Sequence, residues 1–505
     1  MAVQGAARRA HTPSVAIIGT GFGGLGMAIQ LKKAGFDNIT LFEKTDDVGG
    51  VWRDNDYPGA ACDVPSHLYS FSFEPKPDWS RRFAPQAEIH QYLRDCARKY
   101  GLLPHIKFST EVRGAEFDEQ AGNWMIEIAD GSTHRADVVI TATGQLSRPA
   151  YPRIPGIDTF EGEIFHSATW NHNFQLEGKK VAVIGTGASA IQFVPRIAAS
   201  GAQVELFQRD AAHVIPKPDY AYSKAAVELF RRVPGVVRLS RWATYATLEP
   251  RALAFTTFPQ AMKMIEWRFK RHLKQNIHDP ALRAKLTPKD PMGCKRILIS
   301  NEYYPALAQP NVDVVTAAIT EITPDGVVPA DGELHKVDAI ILGTGFQATE
   351  FLSPMEFTGL GGKTLNEEWR DGAEAYLGIS VSGFPNLFML YGPNTNLSHS
   401  SIVFMLESQI RYILQGVRRL AKGDIKWLDV RQHVQGTFNA QVQKKIGATV
   451  WAEGCSSWYK TASGKVTNNW PGFTFAYRRA TRRLNESDYH AEPARAPQYV
   501  GAVAS

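Results

Sequence analysis

The sequence predicts an α/β architecture of two nested parallel-sheet domains carrying a helical insertion, and three observations support that reading. First, two glycine-rich turns, Gly19-Thr-Gly-Phe-Gly-Gly24 and Gly185-Thr-Gly-Ala-Ser-Ala190, follow near-identical apolar strands, Val15-Ala-Ile-Ile and Val181-Ala-Val-Ile. Second, Asp137-Val-Val-Ile-Thr-Ala-Thr-Gly144 is echoed late in the chain by Asp338-Ala-Ile-Ile-Leu-Gly-Thr-Gly345. Third, the stretch between 221 and 290 is helical, basic and aromatic in pattern, unlike its flanks.

Taken in order, residues 14–44 read as strand, turn, helix and strand: an apolar run, the first glycine turn, a helix through Lys33, then Ile39 to Phe42. Another buried strand ends at Gly144, and the proline-rich stretch Arg148-Pro-Ala-Tyr-Pro-Arg-Ile-Pro155-Gly156 cannot carry a helix. A second strand–turn–helix–strand unit runs from Lys180 to Arg209. Two strand-to-glycine crossings flank it, so the second domain is expected to be inserted in the first. The expected division is 1–145 with 340–490, 150–220 with 291–339, a helical insertion at 221–290, and a loose Ala- and Pro-rich tail at 491–505. Within the insertion, Ala225 to Arg232 and Phe258 to Lys274 read as helices, with Trp242, Trp267 and Phe269 as candidates for its own core, a lid or a membrane-touching surface.

Glycine turns at strand–helix junctions aim backbone N–H groups and a helix dipole at a pyrophosphate, so each unit is Rossmann-like and expected to bind a dinucleotide. Gly19 and Gly185 make the bend, Gly21 and Gly187 admit the phosphates, and Gly24 and Ala190 allow close helix–strand packing. The second strands discriminate the ligands. Glu43 ends the first one, suiting ribose hydroxyls and repelling a 2′-phosphate. Aligning Leu41-Phe42 with Leu206-Phe207 puts neutral Gln208 at the matching place, followed by Arg209, whose fork suits phosphate. FAD is therefore expected in the first site, beside Gly49-Gly50-Val51-Trp52, and NADP in the second.

A length of 505 residues implies two or three domains, and 44% hydrophobic residues describes a globular protein. The net charge of +6 is mild and forms no block that argues for nucleic acid. Cys62, Cys96, Cys294 and Cys455 form no CxxC, which argues against a disulfide scaffold, a zinc site or a dithiol redox centre. No metal is expected. The first 13 residues lack an apolar signal core, and no run of about 18 apolar residues exists to span a bilayer, so a cytoplasmic location is expected.

At Phe160-Glu-Gly162-Glu-Ile-Phe-His166-Ser-Ala-Thr-Trp170 the chain matches FxGxxxHxxxW. With the flanking glycine turns, and with Tyr57-Pro-Gly-Ala-Ala-Cys-Asp63, Gly293-Cys-Lys295-Arg296 and Ser457-Trp458-Tyr459, it resembles the Baeyer–Villiger monooxygenases among the class B flavoprotein monooxygenases. The resemblance covers about Ser14 to Arg479. It departs at Asn171, where Pro or Asp is usual, and at Ala61, where many relatives carry Arg. Leu390-Tyr-Gly-Pro-Asn-Thr-Asn-Leu-Ser-His399 is closer to flavin-containing monooxygenases, which keeps sulfur or nitrogen oxygenation as an alternative. A non-catalytic flavoprotein is a second alternative. A pyridine-nucleotide disulfide reductase is disfavoured by the missing CxxC.

The resemblance implies NADPH- and FAD-dependent insertion of one atom of O2 beside a ketone carbonyl, through a C4a-peroxyflavin, with a small apolar ketone or a sulfide as substrate. It implies Arg296 as the cation that stabilises a peroxyanion, because Arg stays charged at working pH. Asp63 would orient it. The FAD set would comprise Gly19, Gly21, Phe22, Gly24, Glu43, Gly50, Trp52, Asp63, Tyr69 and Val112. The NADP set would comprise Gly185, Gly187, Ala188, Ser189, Ala190, Arg209, Lys295 and Trp458. If the segment is extended, Lys295 and Arg296 point to opposite sides, one toward the NADP phosphate and one toward the flavin. Phe160, Gly162, His166 and Trp170 are expected to couple the two domains rather than do chemistry.

Overall fold

The computed structural model describes residues 12–452 and 459–494. Its first parallel sheet has five strands in the order Leu387–Met389, Val138–Thr141, Val15–Ile18, Ile39–Phe42, Ile106–Lys107. The strand Val15–Ile18 is buried along its whole length because it has neighbours on both sides, helices against Val15 and Ile17 on one face, and antiparallel strands against Ala16 and Ile18 on the other. The helix Phe22–Lys33 follows the glycine turn and packs on Ile402–Leu420. It ends with Lys32 and Lys33 in the last turn and Gly35 in the left-handed region (φ +87°), a stop glycine provides without strain.

The second sheet repeats the plan, with five parallel strands in the order Val312–Val315, Gln203–Phe207, Lys180–Ile184, Ala339–Leu342, Glu163–His166. Each sheet carries a small antiparallel meander. The first consists of Val112–Asp118, Asn123–Ile128 and Thr133–Ala136 with Glu356–Thr358, and the second of Ile319–Thr323, Gly326–Pro329 and His335–Lys336.

Two expected boundaries move. Ala339–Leu342 pairs with Lys180–Ile184 and Glu163–His166, so it belongs to the second sheet, and the return to the first comes after Leu342 rather than at 340. The tail expected to be loose from 491 begins ordered: Tyr489–Pro493 is a strand antiparallel to Ile425–Val430, and Ala494 N–H bonds Asp424 O at 2.9 Å. Residues 495–505 lie outside the described residues.

The two chain crossings pair with each other. Pro149 and Phe346 form an antiparallel bridge, Ala150 N–H donates to Gly345 O at 2.9 Å, and Gln347 N–H donates to Arg148 O at 2.9 Å. The units are thus joined by a two-stranded connection rather than by two independent linkers.

The insertion folds as helices Lys224–Arg232, Pro234–Leu248, Ala252–Thr256, Met262–Asn276 and Pro280–Lys285. Phe255, Met262, Phe269 and Leu273 enter the core of the second unit. Two charged anchors tie the insertion to the first unit. Arg241 Nη1 donates to the carbonyls of His67, Leu68 and Ser70 at 3.0, 3.2 and 2.7 Å. Buried Glu249 accepts from Thr474 N–H at 2.5 Å and Thr474 Oγ1 at 2.8 Å. Trp242 and Trp267 face outward, at 65% and 57% exposure, instead of forming an internal core. Cys62 and Cys96 are buried thiols. Among the described residues no helix is long and apolar enough to cross a membrane.

Candidate active site

One continuous cavity of ≈ 1610 Å3 runs from the first glycine turn, past Asp63 and Arg296, to the second. Single-ligand pockets occupy about 300–1,000 Å3, so this space exceeds what one small molecule needs. It lies at the carboxyl ends of both central strands, where open parallel sheets bind their ligands.

The glycines divide by what surrounds them. A Cβ on Gly24 would lie 1.9 Å from Gly19 O, and one on Gly185 would lie 2.4 Å from Gly343 O. Protein backbone alone forbids side chains there. Gly21 and Gly187 differ, since their nearest neighbours to a Cβ are 3.8 and 3.9 Å away and both residues line the cavity. Nothing in the chain requires glycine at those two places, whereas a pyrophosphate laid against the turn does. Neither following helix has a side-chain cap at its N-terminus, so first-turn N–H groups remain available to an anion. The residues present therefore fit a dinucleotide at each turn.

Glu43 is buried and fixed. Its Oε2 accepts from Thr20 N–H at 3.2 Å and Thr20 Oγ1 at 2.5 Å, and its Oε1 pairs with Arg53 at 3.1 Å. Gly50, at φ +54°, brings the backbone to within 3.2 Å of Gly21 Cα, measured from the position its Cβ would take. Trp52 Nε1 donates to Tyr69 Oη at 3.1 Å, and the Tyr69 ring meets Phe22 edge-on at 5.2 Å. With Val112, all of these line the first half of the cavity.

Gln208 is buried and already occupied, its Nε2 donating to Lys285 O at 2.8 Å. Arg209 is 87% exposed and its partner among the described residues is a loose one, Asp210 at 3.7 Å. Lys295 joins the same corner through Asp210 at 3.2 Å and Asp290 at 2.5 Å. Arg209 and Lys295 thus place two cations at the mouth of the second site, where Ala188 and Ser189 also line the wall.

Lys295 sits in a bend rather than in an extended strand, so the alternation expected for an extended segment does not apply; Arg296 nevertheless takes a different partner, Asp63. Its Nε donates to Asp63 Oδ2 at 3.2 Å, and its Nη2 reaches the same oxygen. The Asp63 carboxylate raises the Arg296 pKa further, against the opposing effect of burial. Burial disfavours ionised Asp63, but Arg296, with help from Lys217, outweighs it and holds the carboxyl below its usual range. Around the pair, burial raises the Tyr391, Tyr459 and Cys62 pKa values, so those groups stay neutral beside the charged guanidinium and carboxylate.

The fingerprint residues stand behind the cavity, outside its lining. A Cβ on Gly162 would sit 2.5 Å from Asp338 O, so glycine is needed for strand contact. Buried His166 accepts from Ala168 N–H at 3.0 Å, and its ring lies 5.6 Å from Tyr151 and 5.8 Å from Phe346, on the paired connection. Trp170 packs on Phe165 and Phe193, and Phe160 on the neighbouring apolar cluster. Ala190 is buried at the start of its helix and Gly24 within its own, both packing roles. Trp458 lies outside the described residues.

Sequence reasoning missed Gln192. Its Oε1 accepts from Tyr57 Oη at 3.0 Å and Ala61 N–H at 3.3 Å, and its Nε2 donates to Ala61 O at 2.9 Å. A lone Gln in an amphipathic helix gives no signal in sequence.

Two glycine-turn sheets facing one cavity, with a guanidinium–carboxylate pair where the halves meet, define the class: a nested protein of two dinucleotide sites. The comparisons refine it. The flavin-binding monooxygenase-like family model matches residues 12–355, and the chain belongs to that family. A Baeyer–Villiger monooxygenase of Pseudomonas aeruginosa is 46% identical over 97% of this chain and 93% of its own length. One from Streptomyces coelicolor is 47% identical over 97% and 95%. Among solved structures, a steroid monooxygenase bound to NADP aligns with a TM-score of 0.85 at 29% identity, covering 96% of this chain and 100% of that one. A closed cyclohexanone monooxygenase aligns with a TM-score of 0.85 at 27% identity, covering 96% and 100%.

Proposed function

We propose that this chain is an NADPH- and FAD-dependent Baeyer–Villiger monooxygenase. It would convert a ketone, O2, NADPH and a proton to an ester or lactone, NADP+ and water. The observation that carries the reading is the Asp63–Arg296 pair on the wall of the cavity shared by both glycine turns. The relatives named Baeyer–Villiger monooxygenase support it at 46% and 47% identity over nearly the full chain, and so does a neighbouring structure in complex with FAD and NADP.

Bound FAD, once reduced by NADPH, supplies the activation of O2. The chain's own residues do the rest. Gly21 and Glu43 receive the pyrophosphate and ribose of FAD, with Gly19, Phe22, Gly24, Gly50, Trp52, Tyr69 and Val112 shaping that half. Gly187, Ala188 and Ser189 receive the NADP pyrophosphate, while Arg209 and Lys295 face its 2′-phosphate. Trp458 belongs to the same proposed nicotinamide set. Arg296 would hold a permanent positive charge on the cavity wall, favouring an anionic oxygen species over its protonated form. Asp63 fixes the guanidinium plane through two bonds to one oxygen, which leaves the remaining N–H groups free to face the cavity. His166, Phe160, Gly162 and Trp170 couple the units through the paired connection.

Leu146, Phe346, Leu397, Ile402 and Leu406 give the cavity wall apolar stretches, which suits a small hydrophobic ketone. The cytoplasm is the proposed compartment, where NADPH is supplied. The test is product analysis with linear and cyclic ketones beside aryl sulfides, using purified protein loaded with FAD. Esters or lactones formed with NADPH support the reading. Sulfoxides with no ester would place the chain among heteroatom oxygenases instead.

A further inference from the structure

The segment Tyr57 to Asp63 belongs to the first unit but lies against the helix Ala190–Ala199, which begins at the second glycine turn. Gln192, two residues into that helix, makes three of the hydrogen bonds across this seam. Its Oε1 accepts from Tyr57 Oη and Ala61 N–H, and its Nε2 donates to Ala61 O. One amide therefore holds both polar backbone groups of a single residue, and so fixes the two peptide units on either side of Ala61. Tyr57 also packs edge-on against Phe193 at 5.9 Å. Gly59, at φ +85°, brings the chain so close that a Cβ would lie 2.6 Å from Gln192 O. On its other side, Ala61 bridges Pro85, and Cys62 N–H donates to Ala84 O at 3.0 Å. Two residues beyond Ala61 stands Asp63, whose Oδ2 holds Arg296.

The second unit thus grips one short segment at two points, through Gln192 and through Arg296. We infer that Gln192 is a positioning residue. Its bidentate hold on Ala61 sets the Asp63 carboxylate and thereby aims Arg296, so the orientation of the helix at the nicotinamide-nucleotide turn is transmitted to the charge that guards the oxygen chemistry. The inference rests on the proposed roles of Asp63 and Arg296. Gln192 itself carries no charge and exchanges no proton, and Leu at this position keeps the helix while removing both halves of the amide.

The experiment compares wild type, Gln192→Leu, Gln192→Glu, Asp63→Ala and the double variant Asp63→Ala/Gln192→Leu, each as FAD-loaded full-length chain. Readouts are the NADPH KM, the rate of anaerobic flavin reduction, and the fraction of NADPH recovered as oxygenated ketone rather than H2O2. Gln192→Leu is expected to bind FAD normally and change the NADPH KM less than about threefold, while its peroxide leak rises about fivefold, the scale of one or two lost hydrogen bonds. Gln192→Glu, which keeps the acceptor oxygen but loses the donor to Ala61 O, should fall between Leu and wild type. The double variant should leak no more than Asp63→Ala alone, because Gln192 acts through that carboxylate.

A raised KM with unchanged leak would make Gln192 a nucleotide contact and overturn the inference, as would leaks that add in the double variant. If Gln192→Leu does not fold, the intermediate rank of Gln192→Glu and its double variant with Asp63→Ala decide the matter. The companion variant Arg296→Ala separates the two levels. Should it couple normally, the proposed function fails; should it leak while both Gln192 variants do not, only this inference fails.

Discussion

Replacing Arg296 with Ala removes the cation paired with Asp63 on the cavity wall and strands that partner. Asp63 loses both bonds to the guanidinium, at 3.2 Å from Nε and through Nη2, and keeps Lys217 as its remaining charged support. Burial then dominates, so the Asp63 carboxyl pKa rises from its depressed value and the site loses its polarity as well as its charge. Removing one preorganised donor to a developing anion costs about 2.7–4 kcal/mol, or roughly 10²–10³ in rate. That loss falls on oxygen transfer and not on flavin reduction. NADPH consumption and H2O2 release should therefore continue while ester formation drops by roughly 10²–10³. Arg296→Lys should recover part of the charge but little of the yield, because an ammonium cannot present the planar fork that meets Asp63. The assay follows NADPH absorbance, peroxide and ester from one reaction. Ester yield per NADPH equal to wild type in Arg296→Ala would refute the reasoning.

Arg209→Ala should raise the NADPH KM about tenfold and leave the NADH KM nearly unchanged, since a charge-assisted bond to phosphate is lost; steady-state kinetics with both nucleotides checks this, and equal shifts would place the 2′-phosphate elsewhere. Gly21→Ala should fold with an unchanged circular dichroism spectrum yet purify without flavin, because only the ligand needs that space, whereas Gly24→Ala should destabilise the chain itself, its Cβ meeting Gly19 O at 1.9 Å. Glu249 has a carboxyl pKa depressed below 4.5, with His399 and Thr474 outweighing burial. Its stabilising contribution is complete above the unfolded value and disappears as pH falls through the folded one. Glu249→Gln should therefore lower the melting temperature at pH 7, through the loss of about 1–3 kcal/mol of charged hydrogen bonding, and the gap to wild type should close as pH falls through the depressed Glu249 value.

The strands and turns of both units were legible because a buried parallel strand is a continuous apolar run, and glycine at a strand–helix junction has few other uses. The Lys33 end of the first helix and the strand Ile39–Phe42 fall where the pattern put them. What failed was pairing. Val138–Thr141 and Ala339–Leu342 look alike in sequence because each flanks the central strand of its own sheet. That likeness marks an internal repeat of the sheet plan, and a boundary at 340 cuts through the strand Ala339–Leu342, which the second sheet keeps whole. Ala491-Glu-Pro493 has a tail-like composition, yet a partner strand far along the chain orders it. The outward Trp242 and Trp267 were equally unreadable, since periodicity gives an apolar stripe but not what covers it.

At the cavity, the charged and glycine positions were legible because their chemistry is narrow. Gln192 was not, because a neutral amide means something only once Ala61, remote in sequence, is seen between its two ends. The paired crossings at Pro149 and Phe346 share that character, each strand looking like a plain linker until it meets the other.

This chain is expected to transfer one oxygen atom from O2 into a carbon–carbon bond beside a ketone. Turnover of a cyclic ketone with NADPH under isotope-labelled dioxygen tests it most directly, with mass spectrometry of the product. The account predicts a lactone carrying one labelled atom at its ring oxygen, formed one-for-one with NADPH consumed. Lactone with unlabelled oxygen, or NADPH oxidation that yields only peroxide with every ketone and sulfide supplied, would contradict it.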